Sequence, residues 1–266
     1  HEYFDGLQHS MGITIDLGQR AWYIQKRRTE FGGDPVEMNR EYPSSIDECW
    51  KISLGGTWYA DQLSAARAEG RIRPSLPTLE HVPVNTFWDI GNSDGTAIWL
   101  HQHVHPEHRF IGFIEGWGEG YASFIRQMQA MPVLWGKHYL PHDAAHERQG
   151  TYRPYRPIDE LQKLAPSWSF EIVPRVSELM HGITALKKVF GQCWFDETAC
   201  ASGLTHLQLY KKRFVTATQV YADEPVKFDG HSEAADALRQ FAQAFDGLNP
   251  SVRAGQRPSS RRRARG

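Results

Sequence analysis

Apolar residues along this chain follow two rhythms, helical before about residue 70 and strand-like from residue 85, with helical spacing returning after residue 157. Leu17, Ala21, Tyr23 and Ile24 predict a helix over 17–31, stopped by Gly32-Gly33. Ser45 and Glu48 have capping-box spacing and predict a short helix after Pro43. Another helix is expected over 57–69, ended by Gly70, and Pro74, Pro77 and Pro83 mark 71–84 as a linker. Strands over 85–90 and 96–104 flank Gly91-Asn92-Ser93-Asp94-Gly95, whose chemistry is that of a hairpin turn. Arg109–Glu115 gives a third strand, a helix follows over 119–130, and a fourth strand over 137–141. Helices over 157–165, 177–190, 198–213 and 232–246 and a short strand over 170–174 complete the pattern, with Ser177 and Ser232 as N-caps. Three adjacent strands, a crossover helix and a further strand make an α/β fold: a mixed sheet flanked by helices, with a right-handed crossover, preceded by a small helical segment.

Composition narrows the setting. A length of 266 residues allows one large domain or one domain plus attachments, and 40% hydrophobic content is enough for a core. No apolar run approaches the ~20 residues of a membrane span, and Glu2, Asp5 and His9 do not make a signal peptide. Three scattered cysteines, Cys49, Cys193 and Cys200, point to a reducing compartment. A chain that begins at His1 rather than Met is expected to be a fragment, a processed product or a truncated gene. The formal net charge is −1, but Arg253, Arg257, Arg261, Arg262, Arg263 and Arg265 are gathered at the end, so the rest of the chain is acidic. The tail reads as a phosphate-holding segment acting through counterion release or as a solvated disordered terminus.

The acids are the candidate chemistry. Asp89 closes the first strand, Asp143 closes Lys137-His138-Tyr139-Leu140-Pro141-His142-Asp143, and Asp236 sits in an alanine-rich helix. Each alone reads equally as a turn or cap residue, or, for Asp236, as an ion-pair partner of Arg239. Carboxylates distant in sequence that converge in space are what two hard divalent cations need to hydrolyse a phosphodiester. Asp94 in the turn and Glu115 at the end of the third strand are secondary candidates. Gly116, Gly118 and Gly120 form no phosphate loop, lacking the lysine. His101, His103 and His105 alternate and share a strand face, and without a second cluster they read as a polar, solvent-facing edge. No GxSxG or HExxH pattern occurs.

Four stretches carry a family likeness: Phe87-Trp88-Asp89-Ile90-Gly91-Asn92-Ser93-Asp94-Gly95, His138-Tyr139-Leu140-Pro141-His142-Asp143, Cys193-Trp194-Phe195-Asp196 with Gly203-Leu204, and His231-Ser232-Glu233-Ala234-Ala235-Asp236-Ala237-Leu238-Arg239. In this order they resemble the RNase H-like nuclease domain of phage terminase large subunits, over roughly residues 40–245. Glu41-Tyr42-Pro43-Ser44-Ser45 resembles the end of the terminase ATPase domain, whose Walker motifs are missing. The resemblance implies an ATPase remnant and linker over 1–80, a nuclease domain over 81–250 and a basic tail over 251–266. It implies an Mg²⁺- or Mn²⁺-dependent endonuclease that cuts concatemeric double-stranded DNA with two ions, in the cytoplasm of a bacterial host. Asp89 would bridge both ions, with Asp143 and Asp236 each holding one. Asp94 and Glu115 would be accessory ligands and His142 or His231 supporting groups, and Arg261, Arg262 and Arg263 would contact DNA. The small terminase subunit and the portal would be partners in a full-length context, with no membrane involved. Where family members often have an Asp three residues before the acid matching Glu115, this chain has Gly112. The alternatives are an inactive DNA-binding or motor-docking fragment, or another RNase H-like nuclease such as a resolvase.

Overall fold

Strand direction sets the architecture. The computed structural model describes residues 2–31, 38–39, 41–45, 56–91, 95–150, 153–175, 178–215, 220–226 and 230–248. Strands β2 (Val84–Ile90), β3 (Thr96–Val104) and β4 (Glu107–Gly116) form an antiparallel meander. On its two sides lie β1 (Ile72–Arg73), β5 (Trp135–Leu140), β6 (Ser169–Ile172) and β7 (Cys193–Asp196), in the order β1-β7-β4-β3-β2-β5-β6. All outer pairings are parallel, so β3 alone runs against the rest of this sheet. The carboxyl ends of β2, β4 and β5 therefore open on one edge, the usual side for ligands in such sheets.

Both faces of the sheet are covered, which is why β3 is buried over its first seven residues rather than on alternate ones. One face carries α3 (Ala60–Ala68), α6 (Leu179–Val189), α7 (Ala201–Leu209) and α8 (Ser232–Leu248), packed on Phe87, Ala97, Trp99, Phe110 and Phe195. The other carries α4 (Tyr121–Gln129) and α5 (Pro157–Leu164), on Val84, Trp88, Ile98, Leu100 and Ile114. Helix α8 lies close because its sheet-facing residues are small: Ala234, Ala235 and Ala237 are buried, with Leu238 and Phe241 filling the space beyond. The Trp99 indole donates to the Ala234 carbonyl at 2.8 Å, fixing the first turn of α8 over β3. The amino-terminal helices α1 (Glu2–Met11) and α2 (Leu17–Glu30) have a small cluster of their own around Phe4, Tyr23 and Met38. Asp16 and Gln19 close a reciprocal capping box at the start of α2.

Several expectations change. The segment 71–84 contains an edge strand, β1, which Pro74 keeps to two residues by removing a donor. The run 190–198 holds β7, too short to show a period. The helix expected over 198–213 ends at Leu209, and an antiparallel hairpin follows, β8 (Lys212–Val215) and β9 (Val220–Pro225). His101 is not on a solvent-facing edge: β3 is central, and His101 is fully buried with its Nε2 2.9 Å from His108 Nδ1, whereas His103 is half-buried and His105, beyond β3, is exposed. The short helix after Pro43, the Ser177 cap, Asp94 and the arginine tail lie outside the described residues.

Gly203 shows which force dominates in this core. A Cβ at this position would stand 2.6 Å from Trp99 and 2.8 Å from Phe113. Helix propensity favours alanine by about 0.8–1 kcal/mol, but overpacking costs about 1–3 kcal/mol. Gly203→Ala should therefore lower the urea midpoint, and a rise would mean that α7 is not seated on these rings.

Acid should weaken the fold through His138. The ring is buried, stacked 4.4 Å from Trp168, and its Nδ1 is 2.8 Å from the Thr86 hydroxyl. Burial pulls its pKa down to about 3. A folded pKa below the unfolded value means stability is complete above about 6.5 and is lost as pH falls toward 3, where the unfolded chain binds the extra proton. Denaturation at pH 7, 5.5 and 4.5 should show this slope, and His138→Asn should flatten it.

Candidate functional site

The register of the central strands builds the site. Asp89 is opposite Ala97, and Ala97 is opposite Glu115, so the three share one face in a row across β2, β3 and β4. Two strand spacings put the acids roughly 10 Å apart, and the small Ala97 leaves room between them. Helix α8 starts over this row. Its first turns carry Glu233 and Asp236, three residues apart and so on one helix face. Asp143 comes from the 3₁₀ turn His142–Ala145, directly after β5, the parallel neighbour of β2.

Electrostatics ties these acids together. Asp89 is half-buried as a residue, but its carboxyl group is desolvated. Burial pushes its pKa well above the carboxylate range, the negative charges of Asp236, Asp143 and Glu233 push it further, and Arg239 opposes them. Two neighbours have cationic partners. Arg148 Nη2 is 2.8 Å from Asp143 Oδ2 and donates at 3.2 Å to the Ile90 carbonyl, linking the turn after β5 to the end of β2. Asp236 is ion-paired with the buried Arg239 one turn on. Glu233 is 8% exposed, and its Oε2 is buried without a hydrogen-bond partner.

The remaining candidates separate. Glu115 Oε2 is 2.8 Å from His206 Nε2, and His206 Nδ1 is 2.9 Å from His231 Nδ1, so three side chains from β4, α7 and the approach to α8 form one chain. His142 packs edge-on to His146, ring centres 5.7 Å apart. Asp196, at the end of β7, has a structural role: its carboxylate accepts from the Leu76 amide at 2.7 Å and the Ala199 amide at 2.8 Å. Glu233 is the residue that sequence reasoning passed over, although its three-residue spacing to Asp236 was the available signal.

Among the described residues, no group of three or more His, Cys, Asp or Glu side chains stands close enough, as oriented, to hold an ion. The donor set nonetheless fits a hard divalent cation. It is all carboxylate oxygen, it includes a buried oxygen with no partner, and its mutual repulsion at Asp89 is what a cation would relieve.

No protein-family model matches the chain, and no curated protein does. Among solved structures it is similar to the large terminase from a thermophilic bacteriophage in complex with ATP-gamma-S, with a TM-score of 0.53 at 14% identity over 70% of this chain and 45% of that one. Another crystal form of the same phage's terminase gives a TM-score of 0.51 at 13% identity, over 65% of this chain and 41% of that one. The large terminase nuclease from thermophilic phage G20c with bound magnesium gives a TM-score of 0.46 at 12% identity, over 70% of this chain and 96% of that one. The chain thus shares its fold, a mixed α/β sheet flanked by helices, with part of these large terminase chains, and it spans less than half the length of the first two.

The charge balance at Asp89 makes a stability prediction. A folded pKa raised above the unfolded one means that stability is complete at acid pH and is lost as pH rises toward the folded pKa. In EDTA at pH 7.5, Asp89→Asn should therefore be more stable than the parent, with the gain shrinking at pH 4. A destabilised variant would show that the carboxylate is well solvated or well paired.

Proposed function

We propose that this chain is a metal-dependent endonuclease of the terminase type that hydrolyses phosphodiester bonds in double-stranded DNA. What supports this reading is the electrostatic action of Asp236, Asp143 and Glu233, from α8 and the turn after β5, on the desolvated carboxyl group of Asp89 at the end of β2. A fold gains no stability from such a gathering, so a function is the better account of it.

Asp89, Asp143 and Asp236 are the residues to hold Mg²⁺ or Mn²⁺, with Glu115 and Asp94 as accessory acids. Bound there, two divalent ions would supply an activated water and a stabiliser for the leaving oxygen. The chain's own groups prepare the rest. Arg148 and Arg239 hold Asp143 and Asp236 at the site's edge. With Glu115 ionised and accepting from His206 Nε2–H, His206 Nδ1 accepts from His231 Nδ1–H, and His231 Nε2 becomes that ring's acceptor nitrogen. His231 can then orient a water or take a proton beside the first turn of α8. Arg261, Arg262 and Arg263 add positive charge for DNA phosphates.

The terminase setting extends the proposal to concatemeric phage DNA in a bacterial host, with the small subunit and the portal as partners of a longer protein. No helix among the described residues is long and apolar enough to cross a membrane. The inactive docking reading has one observation in its favour, the arginine partners of Asp143 and Asp236.

Cleavage of supercoiled plasmid with Mn²⁺ or Mg²⁺ separates the two. Loss of a group next to a metal ligand typically costs 10–100-fold, so Asp89→Ala, Asp143→Ala and Asp236→Ala should each lower the rate by at least about 10²-fold. Cleavage that persists in all three variants, or runs unchanged in EDTA, would remove the metal mechanism. No cleavage by the parent with either ion would leave the docking reading.

A further inference from the structure

Glu233 has a buried carboxylate oxygen with no hydrogen-bond partner to account for it. Asp143 and Asp236 face arginines, Glu115 faces His206, and Asp196 accepts two backbone amides. Acids in a helix's first turn usually lie in solvent, where the helix dipole favours them at little cost. Glu233 instead is buried, with Oε2 sealed from water and unpartnered. A carboxylate in that condition is strongly unfavourable unless a cation or donor arrives. Its position is also fixed, because the Trp99 indole holds the carbonyl of the next residue, Ala234, at 2.8 Å. Glu233 also shares a helix face with Asp236, and its charge acts on Asp89.

We infer that Glu233 is a fourth carboxylate ligand for a hard divalent cation, held with Asp89 and Asp236 between the end of β2 and the first turn of α8. This rests on the nuclease reading but adds a residue to it. The cation supplies the counter-charge that Oε2 lacks, and Oε2 supplies an oxygen from a side chain with no competing arginine. It also gives the site an ordered difference: Asp143 and Asp236 must leave a guanidinium to bind, whereas Glu233 need not.

The test is Mn²⁺ binding to the full chain by calorimetry, with bound Mn²⁺ counted by electron paramagnetic resonance, for the parent, Glu233→Gln, Glu233→Asp and Asp236→Asn. The inference expects Glu233→Gln to weaken Mn²⁺ at least tenfold or remove one ion, Glu233→Asp to recover part of the loss, and Glu233→Gln to melt no lower than the parent in EDTA. Parent-like Mn²⁺ affinity in Glu233→Gln, with affinity lost in Asp236→Asn, would overturn the role of Glu233 and leave the nuclease reading standing. A parent that binds no Mn²⁺ would overturn both. A Glu233→Gln variant that melts lower in EDTA would show the carboxylate to be structural and overturn the inference.

Discussion

The site depends on the closeness of one helix to one sheet. Helix α8 reaches the central strands because Ala234, Ala235 and Ala237 present little more than backbone, and because Trp99 binds the Ala234 carbonyl. That contact brings Glu233 and Asp236 within electrostatic reach of Asp89, which stands in a row with Ala97 and Glu115. The same closeness expels water, so charges that solvent would screen act on one another through protein. The fold answers with Arg239 in α8 and Arg148 after β5, each taking one carboxylate, while Asp89 lies between with its proton affinity raised. Core packing and charge crowding are one event here.

Much of this was legible in the sequence, for identifiable reasons. Glycine turn chemistry and strand-like spacing marked β2, β3 and β4, and helical spacing marked α2 and α4 to within a few residues. The order of acids on that frame, with the likeness in the stretches around them, singled out Asp89, Asp143 and Asp236 as candidates. The misses are as physical. Strands β1 and β7 are two and four residues long, less than the span over which a period can show, and they exist because each finds the other and the edge of β4. His101 looked polar but is neutral in the core, because a buried imidazole can pair with another, as it does with His108. Glu233 was overlooked because an acid in a helix's first turn has an ordinary explanation, and only its burial removes that explanation.

Two arrangements of charge now stand side by side on one sheet edge. Around Asp89 the acids meet arginines and one another, which suits a cation. Around Glu115 the acid meets His206 and then His231, which suits the passing of a proton. Ala97 is the spacer between them. A larger side chain there would enter the gap between the two acids and press on α8, so one small residue serves both core and chemistry.

The order of the chain gives α8 another meaning. The meander β2-β3-β4 closes over neighbouring residues and can form as soon as it is made. Asp89, by contrast, must wait for Asp236, well over a hundred residues later. Loop closure of that length is slow and comes late in folding. Because α8 also fills the core with Leu238 and Phe241, a growing chain has neither a finished interior nor a finished acid cluster until this helix has been synthesised. Whatever chemistry the cluster performs is thereby withheld until α8 is made, and this helix acts as both keystone and safety catch.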